Sequence, residues 1–191
     1  MIAEPSATRE KRRLREELRA LRRTLDADAL ARAARALEAA ADALPALAAA
    51  RTVAGYAACD GEIDVAPLLD AARRRGARVV LPRRRAGGGL DLVVVRSGDG
   101  LTCAAPGRVP QPAGPACSPR ELPAPAVVLV PSVALDRRGA RLGRGGGDYD
   151  RLLPALRAGG WTSVGVCHAA ALRDALRGEP HDGTVDAILS D

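Results

Sequence analysis

Aromatic side chains are nearly missing from this 191-residue sequence, which has one Trp, two Tyr and no Phe. Its core must therefore be built from Ala, Leu and Val, and a ligand that needs an aromatic platform finds few candidates. Lysine is scarcer relative to its charge class, since Lys11 is the only one among 29 basic residues. Arginine has taken every place where the two cations are interchangeable, and they are not interchangeable where a compact, mobile ammonium is needed. Lys11 is singled out on that ground. Metal-ligand spacing is absent too, because Cys59, Cys103, Cys117 and Cys167 form no CxxC. No apolar run approaches the ~20 residues of a membrane span. The opening Met1-Ile-Ala-Glu-Pro5 lacks the basic start and apolar stretch of a secretion signal. The expectation is a cytoplasmic protein with free thiols and no membrane contact.

An apolar share of 47% makes a packed core feasible, and the length suits one domain over residues 1–191, with 1–7 a flexible N-terminus. The net charge of +6 fits an anionic small ligand, a nucleic acid or only a solvated surface. Arg12-Arg13, Arg22-Arg23, Arg73-Arg74-Arg75 and Arg83-Arg84-Arg85 are scattered along the chain, with almost no aromatics interleaved for base stacking. That pattern argues against nucleic acid.

Leu14, Leu18, Leu21 and Leu25 fall at spacings of four, three and four, predicting an amphipathic helix from Thr8 to Leu25. Lys11, Arg15 and Arg22 line one edge of its apolar stripe. A second helix is predicted from Asp28 to Leu44, ending at Pro45. Strands then alternate with helices. Val53–Tyr56, Arg78–Leu81, Leu92–Val95, Val127–Val130, Trp161–Cys167 and Val185–Leu189 read as strands. Val65–Arg75, stopped by Gly76, and Ala169–Arg177 read as helices. Val-rich runs without alternation indicate strands buried on both faces. The fold class is therefore α/β, a layered single domain with a mostly parallel sheet flanked by helices. Residues 104–125 hold seven of the 14 prolines and read as a surface loop.

The most informative segment runs from Asp136 to Asp150 and contains Arg141-Leu142-Gly143-Arg144-Gly145-Gly146-Gly147-Asp148-Tyr149-Asp150. It follows a buried strand and precedes a helical run from Asp148 to Ala158. Strand, glycine loop and helix together cradle phosphate. Gly143, Gly145, Gly146 and Gly147 can take positive φ and bring N–H groups near an anion, and the helix N-terminus adds partial positive charge. Arg141 and Arg144 supply forked donors. The loop lacks the GK[ST] of a Walker A motif, and Asp148 stands where a dinucleotide fingerprint needs its last glycine. Asp148 and Asp150 are also good N-caps, and a cap at Asp150 would put Pro154 in the first turn, where proline is tolerated.

Four segments now resemble, in order, those of the 5-formyltetrahydrofolate cyclo-ligase (methenyltetrahydrofolate synthetase) family: Lys11-Arg12-Arg13-Leu14-Arg15, Glu62-Ile63-Asp64, the glycine loop, and Pro180-His181-Asp182-Gly183-Thr184-Val185-Asp186. The resemblance implies a fold related to ribose-5-phosphate isomerase and CoA-transferase-like proteins. It also implies ATP-dependent cyclisation of 5-formyltetrahydrofolate to 5,10-methenyltetrahydrofolate, with Mg²⁺, ADP and phosphate, through phosphorylation of the formyl oxygen. By motif position, Lys11, Arg12, Arg13, Leu14 and Arg15 with Arg141 through Tyr149 would bind ATP. Lys11 and Arg144 would be catalytic. Ala57, Glu62 and residues Arg144 through Asp148 would meet the folate, and Asp150 and Asp182 would hold Mg²⁺. His181 receives no chemistry, and a monomer is expected.

The chain departs from the family pattern where Asp148 replaces a common Tyr, where Gln111 replaces a common Glu, and where residues 90–95 and 104–112 lack aromatics. A carboxylate at 148 adds negative charge beside phosphates unless it touches metal or caps the helix. ATP binding thus carries over better than folate binding. A divergent ATP-using paralogue for another small substrate and an inactive homologue stay open at this level.

Overall fold

The Val-rich runs form the centre of a seven-stranded sheet in the computed structural model, which describes residues 6–102, 109–177 and 183–191. Its strands are β1 Thr52–Ala54, β2 Arg78–Arg84, β3 Leu90–Val94, β4 Ala116–Cys117, β5 Ala126–Pro131, β6 Thr162–Cys167 and β7 Ala187–Ser190. Their spatial order is β7-β6-β5-β1-β2-β3-β4. The five strands from β7 to β2 are parallel, while β3 and β4 add on antiparallel. The α/β reading with a mostly parallel sheet therefore holds.

Successive side chains of a strand point to opposite faces, and β5 feeds two separate cores in this way. Val127 and Leu129 join one apolar cluster with Leu37, Leu47, Leu68 and Leu69. These come from helices α2 (Ala27–Ala41), α3 (Pro45–Ala49) and α4 (Ala66–Arg74). Val128 and Val130 join a second cluster with Leu18 of α1 (Ser6–Arg23) and Leu153 and Leu156 of α5 (Asp148–Ala158). The sheet is thus covered on both faces, as a parallel sheet must be. No helix among the described residues is long and apolar enough to cross a membrane.

Three local expectations are corrected. The second helix stops at Ala41, and Pro45 opens α3 in place of merely ending α2; proline at a first helical position loses no intrahelical bond. Residues 169–177 are not a helix. A short 3₁₀ turn, Ala169–Ala171, leads into Leu172–Arg173, which pairs parallel to Ala134–Asp136 in a small second sheet. The proline-rich stretch is more than a surface loop where it is described, since Ala116–Cys117 pairs with β3 and Gln111–Pro112 with Leu101–Thr102.

The Gly183–Asp186 segment is tied down on both sides. The Val185 amide donates to the Gly139 carbonyl at 2.9 Å. The Asp186 carboxylate accepts from the Ser163 amide and hydroxyl at 2.7 and 2.6 Å. Burial alone would raise the Asp186 pKa, but these bonds and Arg157 hold it below the ordinary value.

Candidate active site

The carboxyl ends of parallel strands are where open α/β sheets bind ligands, and the first helix, the segment after β1 and the glycine loop meet there. The chain leaves β1 into residues 55–65. The glycine loop sits between the strand Arg141–Leu142 of the small sheet and α5. Helix α1 lies over both. Its Arg15 Nε donates to the Gly143 carbonyl at 2.8 Å, and Arg19 donates to the Arg144 carbonyl at 3.3 Å. Arg22, 7% exposed, donates to the Ser132 carbonyl at 2.6 Å. The 3.6-residue period that puts leucines in the core also aims this basic edge at the loop.

Lys11 is half-buried and lines a cavity of about 230 Å³ with Arg13, Leu14, Arg141, Leu142, Arg173 and Leu176. Arg12 is exposed. Within the loop, Gly145 and Gly147 take positive φ, at 100° and 66°; Gly143 and Gly146 do not, so two of the four glycines use that freedom. Gly147 is the residue that caps α5, and it does so in the left-handed region without a side-chain bond. Asp148 and Asp150 therefore lie inside the helix and are not its caps, and Pro154 stands in its interior, beyond the first turn.

Asp148 neither caps nor stands bare. Its two oxygens are held by Arg84 at 2.5 Å and Arg151 at 2.7 Å, which neutralise its charge. Asp150 is paired with Arg141. Arg141 is 7% exposed, and its guanidinium carbon stands 5.9 Å from the centre of the Tyr149 ring. The Arg141 Nε and the Tyr149 hydroxyl are both buried and lack a hydrogen-bond partner among the described residues. Buried polar atoms are normally satisfied, so these two donors beside the glycine loop fit an anionic ligand. Burial, with Glu62 next, raises the Tyr149 pKa well above its usual value, so the phenol keeps its proton for donation.

Across from the loop, Glu62 is 8% exposed. Its carboxylate lies 3.9 Å from Arg22 and 3.9 Å from Arg144, and it accepts from the Cys59 amide at 3.3 Å. Burial raises its pKa above the ordinary 4.5, against the opposing pull of Arg144 and Arg22. Arg144 also pairs with Asp60 and reaches the Cys59 sulfur, and desolvation by burial with Glu62 beside it pushes that thiol up to about 11. Arg144 is thus the side chain that joins the glycine loop to the carboxylate. Ala57 is half-buried at the start of the same segment. Tyr56 is buried and donates to the Ile63 carbonyl at 2.9 Å. Burial, and after it the electrostatic action of the Glu62 carboxylate, raises the pKa of both tyrosines of the chain. Sequence reasoning missed Tyr56, Arg19, Arg84 and Arg151. Arg22 was marked by its helical edge, but its contact with Glu62 was not foreseen.

Asp182, the second carboxylate expected for Mg²⁺, lies outside the described residues, as do His181 and Cys103. Among the described residues no cluster of three or more His, Cys, Asp or Glu could hold a metal. A Cβ built on Gly183 would nonetheless stand 3.6 Å from Asp150 Oδ1, so the residue following 182 abuts Asp150. One or two carboxylates together with phosphate oxygens are the usual Mg²⁺ arrangement beside a nucleotide; of the expected pair only Asp150 is among the described residues, and its carboxylate is engaged by Arg141.

These features define an α/β protein with a glycine loop joined through one arginine to a buried carboxylate. The 5-formyltetrahydrofolate cyclo-ligase family model matches residues 7–191, and the chain belongs to that family. It is 36% identical over 143 residues to a 5-formyltetrahydrofolate cyclo-ligase of Mycolicibacterium smegmatis, covering 73% of each chain. It is 31% identical over 152 residues to the enzyme of that name from Escherichia coli, covering 74% of this chain and 78% of that one. Among solved structures, the Aquifex aeolicus 5,10-methenyltetrahydrofolate synthetase matches with a TM-score of 0.78 at 28% identity, over 94% of this chain and 89% of the other. A Mycoplasma pneumoniae synthetase shares the fold, with a TM-score of 0.73 at 19% identity over 94% and 97%. The activity is that of the family, a cyclo-ligase of folate and one-carbon metabolism, and the family uses ATP.

Proposed function

We propose that the molecule uses ATP to cyclise 5-formyltetrahydrofolate to 5,10-methenyltetrahydrofolate, with the triphosphate between α1 and the glycine loop and the pterin against Glu62. The observation that carries this reading is Arg144, which extends from the glycine loop to within 3.9 Å of the Glu62 carboxylate. A transferred phosphoryl group has to sit between nucleotide and folate, and Arg144 spans that interval.

Phosphoryl transfer asks the protein for alignment and charge neutralisation more than for covalent chemistry. In this reading Lys11, with its mobile ammonium, and Arg141 neutralise the phosphates from the side of the 230 Å³ cavity. Arg12, Arg13, Leu14 and Arg15 complete the α1 wall, and Gly143 through Tyr149 wrap the nucleotide. Asp150 with Asp182 would hold Mg²⁺, which supplies further neutralisation of phosphate charge. Glu62 accepts from the pterin amino and ring N–H groups, for which a carboxylate suits. Ala57 and residues Arg144 through Asp148 border the folate. The formyl oxygen attacks the γ-phosphorus and ADP leaves. N10 then attacks the activated formyl carbon, and its proton passes to the phosphate, which departs as the ring closes. The charge balance needs no general base from the protein.

Absorbance at the methenyl-folate band, recorded after mixing the protein with Mg-ATP and 5-formyltetrahydrofolate, should rise only when ATP is present. Lys11→Ala should lower turnover by about 10²-fold or more, the scale for removing one charged group that stabilises a transition state, with the fold intact by circular dichroism. Near-normal kinetics in that variant would overturn the assignment of Lys11. ATP binding without any absorbance change would point to a different small substrate.

A further inference from the structure

His168 follows β6 and is 7% exposed, yet nothing in the proposed chemistry uses it. Its Nε2 stands 2.9 Å from the Gly61 carbonyl oxygen, and its Nδ1 stands 3.0 Å from Asp191 Oδ2. A carbonyl and a carboxylate can only accept, and a neutral imidazole has a single N–H. Both contacts become hydrogen bonds only when each ring nitrogen carries a proton. The other Asp191 oxygen accepts from the Ala169 amide at 2.6 Å, so the carboxylate is itself held in place. Arg22 and Arg173 also reach this corner, where both act on the neighbouring Cys167.

Gly61 is a sensitive place for such a contact. It sits in the turn Cys59–Glu62, closed by the Glu62 amide donating to the Cys59 carbonyl at 3.1 Å. Asp60 and Gly61 both take positive φ, 52° and 70°, and Asp60 is the one non-glycine residue to do so among those described. A non-glycine residue in that region persists only where its surroundings over-determine it. Here α1 presses from one side, since a Cβ on Gly61 would stand 3.0 Å from both the Arg22 Cβ and the Arg22 carbonyl oxygen. His168 grips the carbonyl of the same residue.

We infer that His168 is a positioning residue for the folate end of the site: paired with Asp191 and donating to the Gly61 carbonyl, it fixes the Asp60–Gly61 turn so that Glu62 stands between Arg22 and Arg144. The inference rests on the assignment of Glu62 to the substrate made above.

Two readouts test it on the full chain. In amide hydrogen exchange, the Glu62 amide that closes the Cys59–Glu62 turn should exchange faster in His168→Leu than in the parent; unchanged exchange overturns the clamp. In steady-state kinetics, His168→Leu should raise KM for 5-formyltetrahydrofolate about tenfold or more, the scale of one lost charge-assisted hydrogen bond. KM for ATP should stay within about twofold, because the nucleotide loop is held by other contacts. His168→Gln, which can donate again to Gly61, should recover part of the folate loss. Equal shifts in both KM values, or none, overturn the proposal. Asp191→Ala, at a side chain 22% exposed, gives the same split in smaller measure should His168→Leu fail to fold. Glu62→Gln measured in parallel separates the two readings. If it leaves the folate KM unchanged, the assignment of Glu62 falls, and exchange of the Glu62 amide alone decides the clamp.

Discussion

Glu62 carries the clearest electrostatic signature at the scale of single residues. Burial raises its pKa above the ordinary 4.5 although two arginines pull the other way. A carboxyl that binds its proton more tightly when folded contributes stability that is complete below the unfolded pKa and is lost as pH rises through the folded one. The Glu62→Gln variant lacks that loss. Its melting temperature relative to the parent should therefore climb as pH is raised from about 4 to about 7, whatever the offset at the lower end; a flat or falling difference would contradict the burial. Lys11 was legible from composition, because one lysine among 29 basic residues asks for a reason. Tyr56 was not, since nothing local marks a strand-end tyrosine whose hydroxyl finds a carbonyl seven residues on. The salt link from Asp148 to Arg84 was equally hidden, because it spans 64 positions and no spacing rule reaches that far.

Helices and central strands were readable where their periodicity is strong. Each of α1, α2, α4 and α5 stands where its pattern put it, apart from the ends. The failures share a cause. Residues 169–177 have the helix propensity of their alanines, yet the small sheet claims Leu172 and Arg173 as partners of Leu135 and Asp136, and the Asp136 carboxylate accepts from the Leu176 amide at 2.9 Å. Tertiary pairing overrides a propensity worth only tenths of a kcal/mol per residue. Likewise, β3 offers an edge that captures Ala116–Cys117 out of a proline-rich stretch. Helix α5 carries its own anomaly in Pro154, an exposed proline in the helix interior. It removes a backbone donor where the helix could use one. Pro154→Ala should stabilise the fold by about 1 kcal/mol once the added freedom of the unfolded chain is set against the restored bond. Urea titration would show this as a higher midpoint with an unchanged slope; a lower midpoint would mean that the ring packs usefully where it stands.

On the scale of the whole molecule, the site is a junction of α1, the segment after β1, and the loop before α5. A ligand bound across such a junction stabilises the folded state as a unit. Mg-ATP at about a hundred times its Kd should add about 2.7 kcal/mol, which raises Tm by roughly 5–10 °C for a chain of this size. Differential scanning fluorimetry should register the rise in the parent and a much smaller one in Lys11→Ala. An equal rise in both would place the nucleotide elsewhere. The long reach of α1 has a consequence for how the protein is made. Arg15 bonds a carbonyl 128 positions further along the chain, and Arg22 one that lies 110 positions on. On the ribosome this helix emerges 110 to 128 residues ahead of the carbonyls it bonds and must wait for them, amphipathic and undocked. Contacts so distant in sequence close late. Nucleotide affinity is then among the last properties a nascent chain acquires, and a truncated product would hold the basic helix without the loop it serves.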